Sequence, residues 1–229
     1  MLSDYIATVL GAGWISLQLA FLSLALAVVL GLLGALCKRS GSRVLRFSAG
    51  LYTTVVRGVP DLVLMLLVFY SLPALLNQWL ESTGSNYTVE FSPFSAGCVT
   101  LGLIFGAYMT ETFRGALQGI PHGQIEAAHA YGLGRLRTWR SIVLPQMIRL
   151  ALPGFTNNWL VLVKATALVS LLGLQDIMFR ARGAAEATGK PFTFYLLAGG
   201  FYLAITVVSL GALVWVARRY SMGVKESSR

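Results

Sequence analysis

The sequence predicts an all-α protein that crosses a membrane five times. Three observations carry that reading. Of the 229 residues, 56% are hydrophobic and only 12% are charged, against roughly 25% charged in a soluble domain. The apolar residues gather in five long runs, and a helix needs about 20 such residues to cross the hydrocarbon core. Lys and Arg fall mainly in alternate connections, as in membrane proteins whose basic loops face the cytoplasm. The net charge of +9 would point to nucleic acid in a soluble chain. Here basic cytoplasmic loops account for it, and no nucleic-acid partner is expected.

The runs are Val9–Leu36, Phe47–Leu72, Pro93–Leu117, Met147–Leu174 and Phe192–Val216. The first is longer than a signal peptide's apolar core and has no basic residue before it. Leu36 is also too large for the cleavage box that Gly34-Ala35-Leu36-Cys37 faintly resembles, so it reads as an uncleaved span. The second run is interrupted at Gly58 and Pro60. "ALLNQWLESTGSNYTVEFSP", Ala74 to Pro93, begins as a short amphipathic helix and continues as a polar loop. The third carries Gly102 and Gly106 at the spacing of close helix packing. The fourth is interrupted by polar residues and contains Pro153-Gly154.

Lys38, Arg39, Arg43 and Arg46 follow the first run. Arg135, Arg137, Arg140 and Arg149 surround the fourth run's entry, and Arg218, Arg219, Lys225 and Arg229 follow the fifth. The N-terminus is therefore expected outside and the C-terminus inside. Arg180, Arg182 and Lys190 run against the pattern, accompanied by Asp176 and Glu186. Cys37 and Cys98, the only cysteines, form neither a disulfide framework nor a metal site.

The passage "EAAHAYGLGRLRTWRSIVLP", Glu126 to Pro145, is polar and basic between two apolar runs. It predicts one helix stopped or bent at Gly132 and a second from Arg135 to Val143, with Pro145 marking re-entry into the membrane. From charge alone, a loop held against anionic headgroups is an open alternative.

Charged and amide groups inside the runs are candidate ligand contacts. Asp61 follows the Gly58–Pro60 break, and a carboxylate at a span centre costs at least ~2.5 kcal/mol unless solvated or paired. Broken helices near mid-membrane are where transporters hold substrate. Asp61 thus reads either as a substrate contact or as the ion-pair partner of Arg57. Glu111 has Arg114 three residues on, on the same helical face, so pairing competes with ligand binding there too. Asn157 and Asn158 read as contacts for an amino or carboxyl group, or as interhelical ties. No catalytic residue is expected. The chain has no G-x-x-x-x-G-K-[ST] for ATP, and His122 and His129 have neither metal spacing nor a nucleophile beside them.

The spacing in the basic passage also carries a resemblance. Glu126-Ala127-Ala128, three residues, Gly132, nine residues, then Ile142-Val143-Leu144-Pro145 is similar to the E-A-A-x3-G-x9-I-x-L-P loop of ABC-importer permease subunits. "RGVPDLVLMLLVFY" from Arg57, "YMTETFRGAL" from Tyr108, "PHGQIEAA", "ALPGFTNNWLVLVKATALVSLLG" and "PFTFYLLAGGFYLAI" resemble the polar-amino-acid branch of that family. Within it the likeness is to the Q-type permeases of histidine/lysine/arginine/ornithine importers. Lys164-Ala165-Thr166-Ala167 departs from the K-D-T-S of many relatives.

The resemblance implies an inner-membrane protein of the type I importer fold, a single transmembrane domain over 1–229 with a cytoplasmic coupling loop at about 118–146. In it Glu126, Ala127, Ala128 and Gly132 would form the handle gripped by an ATPase. It also implies import of basic amino acids, with Asp61 facing the cationic side chain, because basic-amino-acid permeases tend to carry an acid after R-G-x-P. The implied partners are a second permease chain, two ATPase subunits that hydrolyse the ATP, a periplasmic amino-acid-binding protein and the lipid bilayer, with no cofactor in this chain. A stand-alone channel, a secondary transporter, or an ABC permease for other polar amino acids are the competing readings.

Overall fold

The computed structural model describes residues 2–221, and Lys225 and Arg229 lie outside the described residues. Eight helices make up the described chain, with no strand among them: α1 (Leu2–Arg39), α2 (Arg43–Gly58), α3 (Asp61–Ser82), α4 (Pro93–Gln118), α5 (His122–Ala130), α6 (Arg135–Leu172), α7 (Ile177–Thr188) and α8 (Pro191–Ser221). Five of them, α1, α3, α4, α6 and α8, are long and apolar enough to span a membrane.

The centre of the bundle is α1 laid along α4. Small residues make this possible. The buried face of α1 is Ala12, Ser16, Ala20, Ser23, Ala27, Gly31 and Gly34 with a few larger residues between them. On α4, Gly102 receives the side chain of Leu26, and Gly106 receives Leu30 together with the Tyr52 hydroxyl. A methyl group on Gly106 would lie 2.8 Å from that oxygen. Close backbone approach of this kind is the main source of helix association where burial from water drives nothing, and it is the role expected for this glycine pair.

Three boundaries differ from the expected ones. The second run breaks where its interruption at Gly58 and Pro60 was expected, but the spanning helix is Asp61–Ser82 rather than Phe47–Leu72. Its chain breaks at Val59 and Pro60, both extended, because a proline disfavours helical geometry in the residue before it and has no N–H to donate. The helix that follows runs past Leu72 to Ser82 and absorbs the expected short amphipathic helix.

The expected helix from Arg135 to Val143 likewise does not stop before Pro145 but continues as α6 to Leu172. Both helices tolerate an internal proline by one device. A π turn at Leu67–Ser71 precedes Leu72-Pro73, and another at Trp139–Val143 precedes Leu144-Pro145. Leu72 and Leu144 donate to carbonyls five residues back, at Leu67 and Trp139. The wider turn accommodates the missing N–H and the ring that would otherwise break a helix.

The third difference is α7, which falls where a connecting loop was expected. Ile177, Ala181, Ala184 and Ala185 bury one face of it against α1 and α8. Asp176 caps its start, accepting from the Phe179 N–H at 2.9 Å.

Candidate functional site

Two carboxylates lie along α4: Asp61 beside its middle, and Glu111 nearer its C-terminal end, where Lys38 at the end of α1 meets it. The α2 helix climbs to the middle of α4. The Tyr52 hydroxyl donates to the Leu103 carbonyl at 2.6 Å, and the Arg57 guanidinium lies 5.2 Å from the centre of the Tyr108 ring. The Val59-Pro60 break therefore sits beside the middle of α4, and Asp61 opens α3 there, packed towards the turn at Thr166–Leu172.

Asp61 is half-buried and, among the described residues, takes part in no hydrogen bond or ion pair. The ion pair with Arg57 does not form, because the guanidinium is committed to the face of Tyr108, an attraction worth about 0.5–2 kcal/mol. Placement in the first turn of α3 favours a negative charge, but the carboxylate caps no backbone N–H of that helix.

Glu111 is in the opposite condition. Arg114 grips its Oε2 through Nε and Nη2, each at 2.8 Å, and the Lys38 ammonium bonds its Oε1. Lys38 also donates to Thr53 Oγ1 at 2.6 Å, joining α1, α2 and α4 at one point. Both oxygens are thus taken by the chain's own cations, the pairing alternative for this residue. Lys38 was read from sequence only as a topology signal.

The two asparagines part company, as neighbours on a helix do. Asn158 is 9% exposed and donates to Thr112 Oγ1 at 3.0 Å, a tie between α6 and α4. Asn157 is exposed on the other side of α6. Sequence reasoning also passed over Asp176, which has no exposed surface and whose Oδ2 has no hydrogen-bond partner. Burial pushes its carboxyl up to about 6. The Ser16 Oγ accepts from Ile177 N–H beside it, and Tyr202 of α8 faces it. A buried acid at a helix start was the available signal.

The connection between α4 and α6 is a compact projection. The α5 helix ends in a Schellman arrangement. Gly132 at φ +77° donates to His129, and Leu133 donates to Ala128, both at 2.9 Å, which is the geometry a left-handed terminal glycine supports. Ala128 and Ile125 turn inward, while Glu126 and Ala127 face out. Thr138 Oγ1 bonds back to the Gly134 carbonyl, and Gln146 bonds Gln124 at 2.6 Å, locking α5 to the start of α6. Outward-facing Glu126 and Ala127 share the exposed surface with Tyr131 and Leu136, at 86% and 82% exposure.

The sequence model of one protein family, the binding-protein-dependent transport system inner membrane component, matches residues 8–222. The chain belongs to that family. This permease is 48% identical over 227 residues to the histidine/lysine/arginine/ornithine transport system permease protein HisQ of Escherichia coli (strain K12), covering 99% of both chains. It is 38% identical over 228 residues to the arginine ABC transporter permease protein ArtQ of Haemophilus influenzae, covering 98% of this chain and all of that one. Its fold superposes on a chain from the crystal structure of an amino acid ABC transporter with histidines, with a TM-score of 0.79, 28% identity and coverage of 95% and 96%. The permease is thus a multi-pass inner-membrane subunit with the type I importer fold.

Proposed function

We propose that the permease imports amino acids with a cationic side chain, the class named for its histidine/lysine/arginine/ornithine relative, and that Asp61 receives that side chain. One observation carries the substrate reading: a carboxylate inside the bundle, beside a helix break, with no cation paired to it among the described residues. An ionisable group so placed is rarely left unbalanced unless it meets a ligand or a water-filled path. The likeness to permeases named for basic amino acids supports the same class. Asn157, exposed on α6, is the second polar group open to the ligand, whereas Glu111 and Asn158 hold the scaffold in which it binds.

Family membership supports the remaining machinery. A second permease chain completes the path, two ATPase subunits hydrolyse ATP, and a periplasmic amino-acid-binding protein delivers substrate. The projection at about 118–146 is the handle. Glu126 and Ala127 present the docking face, Ala128 seats it against the bundle, and Gly132 sets its turn.

The test of the substrate role is Asp61→Asn. A hydrogen bond to a charged group is worth roughly 1.5–3 kcal/mol, and each 1.4 kcal/mol is about tenfold. Apparent affinity for arginine or lysine falls by about one to two orders of magnitude in uptake assays. Pull-down shows the complex intact, because the substitution strips no partner from Asp61. Normal arginine uptake by an intact Asp61→Asn complex removes the substrate role.

A further inference from the structure

Lys164 is a charged group inside a membrane-spanning helix. It lies within α6, is exposed, and among the described residues makes no hydrogen bond or ion pair. Its depth follows from its neighbours. Asn158 bonds Thr112 on one side of it along the helix, and on the other Val169 packs on Gly97. Lys164 falls between, level with the middle of α4 and with the break that carries Asp61.

Its face is equally defined. Asn157, Val161 and Lys164 recur at helical spacing and are all exposed, while Asn158, Leu162 and Ala165 on the adjoining face are buried in the bundle. A lysine held against lipid at that depth is strongly disfavoured, and charged groups in spans face a bundle interior or a water-filled cavity. The Asn157–Lys164 stripe is therefore the side of α6 turned to the path. The start of α3 packs on the turn immediately after Lys164, which brings Asp61 to the same region without an ion pair between the two.

We infer that Lys164 binds the α-carboxylate of the transported amino acid. The inference rests on the reading of Asp61 above and extends it. A basic amino acid carries a cation at one end and a carboxylate beside its α-ammonium at the other, so a site with one acid and one unpaired lysine matches both ends. An ammonium is a compact point charge with freely rotating donors, suited to a carboxylate that must be released on the far side.

The test uses the whole transporter, purified and reconstituted, with labelled arginine displaced by arginine, arginine methyl ester or citrulline. The ester lacks the carboxylate charge, and citrulline lacks the side-chain charge. The wild type prefers arginine to its ester by about tenfold or more. Lys164→Gln reduces that preference to about two- to threefold and keeps the preference over citrulline, while Lys164→Arg keeps both. Asp61→Asn does the reverse, losing discrimination against citrulline and keeping it against the ester, so the two assignments fail separately. Unchanged ester discrimination in Lys164→Gln overturns the inference. So does a Lys164→Gln complex that falls apart while Lys164→Arg assembles, because Lys164 then pairs with an acid of the second permease. A wild-type transporter that binds no arginine contradicts the substrate class itself.

Discussion

Glu111 and Asp61 are carboxylates of one bundle with opposite surroundings. Glu111 is bound by Lys38 and Arg114, and with Thr53 this pins three helices at one point. Asp61 has no cation, although Arg57 is only one turn away in sequence, because Tyr108 holds that guanidinium. On the proposed function, the charge neutralised by its own chain belongs to the scaffold, and the charge left open receives a group from outside. Asn158 and Asn157 repeat the contrast on adjacent positions of α6, one tied to Thr112 and the other exposed.

If that contrast is sound, the largest effect on folding comes from breaking the closed member. Glu111→Gln leaves Lys38 and Arg114 without their carboxylate, and removing one partner of a largely buried pair costs on the order of 3 kcal/mol. The yield of folded, detergent-stable permease falls steeply in Glu111→Gln, by size-exclusion chromatography, and stays near wild type in Asp61→Asn. Equal yields would erase the distinction between the two carboxylates.

Open groups on the handle sharpen the contrast at the cytoplasmic end. Gly132→Pro puts a ring where the left-handed turn donates its N–H to His129, and Glu126→Lys reverses the charge of the outward face. In both the permease still inserts. ATPase co-purification weakens, and uptake in whole cells drops to background. A mutant that retained the ATPase and transported normally would rule out the handle role.

Asp176 stands between the two conditions, with one oxygen capping α7 and the other unpartnered. Its carboxyl sits at about 6 in the fold against 3.8 in the open chain, so the native state binds more protons than the unfolded state between those values. Stability from this group is fully present below about pH 4, declines as pH rises towards 6, and is flat above. The difference amounts to on the order of 3 kcal/mol. Asp176→Asn keeps the capping oxygen and removes the titration. Thermal unfolding compared at pH 4.5 and 7.5 should show the wild type losing more stability than the variant. Parallel behaviour would mean that the buried carboxyl does not titrate in the fold.

What the sequence made legible was local. The five spans followed from run length, the turn at Gly132 from a helix interrupted by glycine, and the break at Pro60 from proline chemistry. Glu111 was singled out, and its Arg114 partner lay within one helical turn. The pairing with Lys38 was not legible, because 73 residues separate the two and only the crossing of α1 and α4 brings them together. The continuation of α3 and α6 through Pro73 and Pro145 depends on π turns that no spacing rule signals. The α7 helix was masked by its charged residues, since its buried face is mostly alanine. Which asparagine faced inward required the rotation of α6, and sequence spacing alone does not supply it.

A structure of the assembled transporter with arginine bound tests the central claim most directly. The guanidinium is expected within hydrogen-bonding distance of Asp61, about 2.7–3.0 Å, with Glu111 still held by Lys38 and Arg114. Arginine bound elsewhere, with Asp61 paired to Arg57 or to a residue of a partner chain, would contradict it.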